Sequence, residues 1–196
     1  MRRNEVIFVT QLYFVRHAQP LYSNHDDAER ELSPKGLEDR KLVTKFLMDK
    51  GIDAVLSSPY ARALETVRHF ADTVRMPIIH MADFRERGVA SEWIDDFDTF
   101  CRSQWADFDF RLPGGECLRE VQQRNIAGLN RVLREYEGQR VVIGGHGTSI
   151  ATVLNYFDAS FGYEGFESIR RLMPWIVRLD FEGDTFLGME QFKLMD

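Results

Sequence analysis

The chain has 196 residues, 44% of them hydrophobic, and a formal net charge of -6 at pH 7. That length and apolar content suffice for one buried core, and the acidic balance argues against nucleic acid and anionic membrane, partners that reward a basic face. Cys101 and Cys117 are the only cysteines, too few for a disulfide framework or a four-ligand zinc site, so reduced thiols in a cytoplasmic protein are expected.

In chain order, the Met-Arg-Arg start leads into a short apolar run, Val6 to Phe8, broken by Thr10, Gln11 and then Arg16. No small-residue cleavage site or spanning segment follows, so neither a signal peptide nor a membrane helix is expected. Val6 to Val15 reads as a strand. "LSPKGLEDRKLVTKFLMDKG" reads as a helix in which Ser33 caps, Pro34 suits the first turn, Gly51 closes, and Leu37, Val43, Phe46 and Leu47 face inward. "DAVLSSP" is a short strand stopped by Pro59, "YARALETVRHFADTV" has helical spacing, and "MPIIHM" supplies another strand. "CLREVQQRNIAGLNRVLREYEG" is the clearest helix and "RVVIGG" the clearest strand, followed by "SIATVLNYF" as a helix. The chain closes with "WIVRLDFEGDTFLGMEQF", two strands around Glu182, Gly183 and Asp184.

Strands alternating with helices, then a hairpin, predict an α/β three-layer sandwich. Its central sheet is mostly parallel with an antiparallel edge, and helices cover both faces. Phe84 to Gly115 interrupts the alternation, placing Phe84, Trp93, Phe97, Phe100, Trp105, Phe108 and Phe110 among many acids where a short loop would suffice. Extra amphipathic helix filling out the core accounts for most of these aromatics, and a lid over a site is compatible with it. The expectation is therefore one domain, residues 1–196, with 84–115 as a lid-like insertion.

In an open parallel sheet, ligands bind beyond the carboxyl ends of the strands. After the first predicted strand come Arg16 and His17. Ser57, Ser58 and, at the start of its helix, Arg62 follow the second, and His146, Gly147, Thr148 and Ser149 follow "RVVIGG". Taken singly, each has an ordinary structural explanation: a solvated arginine, a hydrogen-bonded histidine, glycines that permit a tight turn. Taken together, two arginines and two histidines at three strand ends, with no carboxylate in the adjoining turns, describe a pocket for a dianion. Guanidinium groups bind phosphate oxygens in bidentate fashion, and amides at a helix start also attract phosphate.

"YFVRHAQP", "LSPKG", "AVLSSPYARALETV", "FRER", "PGGECL" and "VVIGGHGTSI", in that order, resemble the histidine phosphatase superfamily, which includes cofactor-dependent phosphoglycerate mutases and many small-molecule phosphatases. The resemblance implies that His17 is the phosphorylated nucleophile and that Arg16, Arg62 and His146 hold the phosphoryl group, with Gly147 and Thr148 beside it. It also implies that Glu86 is the proton donor and that neither metal nor cofactor takes part. Ala18 stands where the family has glycine, and the family's asparagine position falls at Ser23, with Asn24 one further on; either side chain could donate to a phosphate oxygen. Gly147 follows the second histidine where the acid-phosphatase branch has aspartate, which favours Glu86 as the acid.

Other chemistries fail on particular positions. A cysteine phosphatase needs an arginine six residues after its cysteine, but Asp107 and Gln123 stand there; "GGHGTS" is not a serine-hydrolase elbow, and Ile150 stands where a dinucleotide fingerprint needs glycine. Three functions stay open: a phosphatase of a small phosphate monoester, a phosphoglycerate mutase, and a non-catalytic phosphate-binding module. The acidic, aromatic middle segment and the end of the chain at Asp196, soon after the hairpin, weigh toward hydrolysis. The expected partner is a small phosphorylated metabolite, without nucleic acid or membrane, and a homodimer is left open.

Overall fold

The computed structural model describes residues 9–92 and 94–194. The start of the first predicted strand, Val6 to Phe8, and Trp93 lie outside the described residues. Among the described residues, six strands form one sheet: β1 (Val9–Arg16), β2 (Ala54–Ser57), β3 (Ile78–His80), β4 (Arg140–Gly145), β5 (Trp175–Glu182) and β6 (Thr185–Lys193). The α-helices among these residues are α1 (Pro34–Leu47), α2 (Ala61–Val74), α3 (Phe97–Ala106), α4 (Leu118–Glu135), α5 (Gly147–Phe157) and α6 (Tyr163–Arg170). The strand order is β3-β2-β4-β1-β5-β6. Pairings among β1 to β4 are parallel, whereas β5 runs antiparallel to both β1 and β6, which matches the mostly parallel sheet with an antiparallel edge.

Continuous apolar runs arise here because both faces of the sheet are covered. Leu12 and Phe14 of β1 point into a core shared with α3, α4, α5 and α6, while Tyr13 and Val15 point to the opposite face, against α1 and α2. Phe84, Phe100 and Trp105 are buried in the larger core, and Phe84 meets Phe14 edge-on at 5.7 Å. These three aromatics of the 84–115 segment are thus core residues. Burying a side chain of this kind stabilises by about 1.5–3 kcal/mol.

Helix α1 begins as its sequence predicts, with Ser33 Oγ accepting from Gly36 N at 3.1 Å and Pro34 in the first turn. Val43 and Leu47 face inward and Phe46 packs against the same core, as expected, but Gly36, Asp39 and Thr44 are buried with them and Leu37 is not. Leu37 is 40% exposed because Gly36 takes the contact position; a Cβ at Gly36 would lie 2.1 Å from Gln19 O. The helix ends at Leu47 with Met48 as its cap, and Gly51 (φ 62°) turns the chain afterwards. Helix α6 was not expected: it is only eight residues long and carries Gly165 in its first turn, a weak signal between stronger ones. No described helix is long and apolar enough to cross a membrane.

The topology determines where chemistry can occur. In the parallel β2-β4-β1 triplet, Arg16 sits opposite Gly145 and Ser57 opposite Gly144. The carboxyl ends of three strands therefore align, and the residues after them share one crevice.

Candidate active site

His17 continues the β1–β4 ladder for one more bond, its amide donating to Gly145 O at 3.1 Å. Its Nδ1 lies 2.7 Å from Ala18 O. A carbonyl can only accept, so Nδ1 carries the proton and Nε2 keeps its lone pair. Ala18 is fully buried and its amide donates to Thr66 Oγ1 at 2.9 Å. Arg75 alone among the described non-glycine residues has a positive φ, so alanine at this position meets no backbone strain.

Arg16 is 8% exposed and is held by an element the sequence did not reveal. Its Nη1 donates to Ile169 O at 2.6 Å, in the last turn of α6, and to Leu172 O at 3.2 Å, just beyond that helix. Its Nε is buried with no hydrogen-bond partner. Burial, partly offset by Glu86, lowers its pKa to about 10, so it remains a cation at neutral pH. Gly147 makes room for this guanidinium: a Cβ there would lie 3.0 to 3.2 Å from Arg16 Nε, Cζ and Nη2.

Arg62, in the first turn of α2, is 3% exposed. Its Nη2 lies 3.0 Å from Asp27 Oδ1, and its Nη1 donates to the Asp27 carbonyl. His146 caps α5 and is fully buried, with Nε2 2.8 Å from Ser58 Oγ and Nδ1 unpartnered. Its ring meets that of His17 at 5.4 Å and that of Tyr60 at 5.3 Å. Burial, reinforced by Arg62 and then other cationic neighbours, pushes both imidazoles well below the usual histidine range. Both are neutral at pH 7.

Glu86 follows a 3-10 turn at Ala82–Phe84. Its Oε2 accepts from Thr148 N at 3.1 Å and its Oε1 from Arg87 N at 2.9 Å, so the carboxylate sits on the positive end of α5. Arg124 of α4 fastens the segment by donating to Asp83 O at 2.7 Å, Arg85 O at 2.8 Å and Glu86 O at 3.2 Å. Arg87 is 1% exposed, bonds Thr148 Oγ1 through Nη1, lies 3.2 Å from Cys101 Sγ through Nη2, and stacks near Phe100.

The structure thus brings Arg16, His17, Arg62, Glu86, His146, Gly147 and Thr148 together. It ties Asn24 elsewhere: Nδ2 donates to Glu29 O and to Glu31 Oε2 at 2.7 Å, within its own loop. Ser23 is exposed in that loop. Arg111 and Arg119 pair with Glu120 and Asp109 at the surface. Asp27 and the carbonyls that hold Arg16 escape sequence reasoning, since "HDDAERE" offers several acids and no spacing that selects one.

Two guanidinium groups and two neutral imidazoles gather at and just after the ends of β1 and β4 and at the start of α2, the imidazole rings 5.4 Å apart, and Arg16 Nε and His146 Nδ1 are buried there without partners. That constellation suits a phosphoryl group. The sequence profile that describes the histidine phosphatase superfamily (branch 1) matches residues 12–188. The chain belongs to that superfamily. Among curated relatives, the uncharacterized phosphatase PhoE of Bacillus subtilis (strain 168) is 24% identical over 178 residues, covering 88% of this chain and 89% of PhoE. The probable phosphoglycerate mutase GpmB of Serratia proteamaculans (strain 568) is 26% identical over 157 residues, 74% of this chain and 73% of GpmB. The solved structure of Bacillus stearothermophilus YhfR shares the fold, with a TM-score of 0.75 at 22% identity over 91% of this chain and 94% of YhfR.

Proposed function

We propose that this superfamily member is a phosphoric monoester hydrolase that acts on a small-molecule phosphate ester through a phosphohistidine at His17. The observation that carries this reading is the His17 tautomer: the Nδ1 contact to Ala18 O leaves Nε2 as an uncharged nucleophile beside Arg16 and Arg62. In the first step Glu86 enters in its protonated form, Nε2 bonds to phosphorus as the ester P–O bond breaks, and Glu86 gives its proton to the departing oxygen. In the second, water bonds to phosphorus, Glu86 takes back a proton, the P–N bond breaks, and inorganic phosphate leaves. Arg16, Arg62 and His146 neutralise or hydrogen-bond the three equatorial oxygens as charge moves. Acid-base help from Glu86 contributes about 10²–10⁴ in rate.

The likeness to GpmB favours a second reading, phosphoglycerate mutase, in which the phosphohistidine is kept from water and returned to a bound intermediate. The acidic, aromatic 84–115 segment weighs against it, and a set of donors as complete as this one weighs against a non-catalytic module. Brief reaction with a 32P-labelled ester followed by denaturation should leave label that survives alkali and is lost in acid. His17→Ala should retain neither label nor turnover; label or full activity in that variant would sink the assignment. Phosphate release without any transfer to 3-phosphoglycerate separates hydrolase from mutase.

A further inference from the structure

The loop between β1 and α1 places a carboxylate at the phosphoryl site. Asp27 Oδ1 lies 3.0 Å from Arg62 Nη2 and 3.2 Å from Arg30 Nη1, while its side chain remains 43% exposed. The carboxylate is not the sole anchor of Arg62, because the Asp27 backbone carbonyl accepts from Nη1 as well. Its charge therefore does something its backbone does not.

The pairing of the surrounding arginines shows what that is. Arg30, Arg85, Arg124 and Arg170 lie close enough to act electrostatically on Arg16, His17, Tyr60 or His146. Each is already paired: Arg30 with Asp27, Arg85 and Arg124 with Glu116, and Arg170 with Asp98 and Glu167. Arg62 shares Asp27, and Arg16 donates only to carbonyls. Among these arginines, Arg16 is the one without a carboxylate in an ion pair. The site can thus accept the two charges of a phosphate monoester, but a second anion on the alcohol portion would meet Asp27, and Arg87, which also lacks a carboxylate partner among the described residues, is 1% exposed and turned to Thr148 Oγ1 and Cys101 Sγ.

We infer that Asp27 is a specificity-determining residue that restricts the site to monoesters of uncharged or amino-bearing alcohols and disfavours esters with a second anionic group. A hydroxyl or ammonium beside the ester oxygen can donate to the Asp27 carboxylate, whereas a carboxylate or second phosphate is repelled by it. This rests on the phosphatase reading and adds the substrate class to it.

Glycerol 3-phosphate and 3-phosphoglycerate make the test, since they share a carbon skeleton and differ only in a hydroxymethyl against a carboxylate. kcat/KM for each is measured in the wild type and in Asp27→Asn, which keeps the backbone carbonyl and side-chain shape and removes the charge. The wild type should prefer glycerol 3-phosphate, and Asp27→Asn should shrink that preference about tenfold, the size of one charge acting across a half-exposed pocket. A merely structural role would lower both values together and leave their ratio unmoved, and that result overturns the inference. Calorimetric binding of the same two esters reports the ratio without turnover. A chain that hydrolyses neither ester yet shows the shifted binding ratio refutes the phosphatase reading and retains the role of Asp27; an unmoved ratio in both measurements removes that role.

Discussion

Gly147→Ala isolates the seat of Arg16. The added methyl would stand 3.0 Å from Nε, 3.1 Å from Cζ and 3.2 Å from Nη2 of Arg16, against an ordinary carbon contact of about 3.5–4.0 Å. The guanidinium must then retreat by about half an ångström. It is pinned on its other side by Ile169 O at 2.6 Å and Leu172 O at 3.2 Å, so the movement tilts the fork rather than sliding it. A misplacement approaching an ångström costs about 10²-fold in a positioned reaction, and half of that should lower kcat/KM about tenfold, or about 1.4 kcal/mol of transition-state stabilisation. Stability should move little: alanine gains up to about 1 kcal/mol over glycine in a helix, and the crowding costs about 1–3 kcal/mol. Steady-state phosphate release from an aryl phosphate and calorimetric Tm read the two effects separately. If the methyl acts through Arg16, its effect should largely vanish in an Arg16→Lys background, because coupled sites are not additive. Activity within twofold of wild type, or full additivity with Arg16→Lys, would refute the reasoning.

Arg124→Ala removes donors to three carbonyls of the segment that carries Glu86 and leaves Glu116 without one of its arginines. The expected cost is about 2–4 kcal/mol of stability, read as a lower urea midpoint, with kcat falling more than KM rises; an unchanged kcat would show that Arg124 does not position Glu86. The two buried histidines predict a pH dependence of the ligand-free protein. Their folded pKa lies below the unfolded value of about 6.5. Between the two values the unfolded chain binds more protons, so stability is full above about pH 6.5 and falls as pH drops, by about 1.4 kcal/mol per pH unit for each histidine. Urea unfolding from pH 7.5 to 5.5 checks this, and His146→Gln should remove about half of the slope; an identical slope in the variant contradicts the assignment.

What could be read from the chain alone is what short-range physics encodes. Apolar runs bounded by Gly, Pro and caps announced the alternating elements, and the polar residues directly after them, Arg16, His17, Ser58, Arg62 and His146, announced an anion pocket. Their meeting followed from a single rule about parallel strands. Glu86 came instead from family resemblance, because the only local sign was one acid among charged neighbours, and the bonds that hold it come from Thr148, Arg87 and Arg124.

Tertiary structure decided the rest. Arg16 is fixed by a carbonyl 153 residues away, on a helix too short and too glycine-interrupted to announce itself. Asn24, which the resemblance brings near the phosphate, donates to Glu29 O and Glu31 Oε2 within its own loop. Asp27 reaches Arg62 only because the loop folds back between Pro20 and Leu32, which pair as an isolated bridge. Local sequence specifies which element a residue joins and which groups it can donate or accept; the partner that completes each bond is chosen by chain closure over long separations, where many equivalent donors compete and no periodicity distinguishes them.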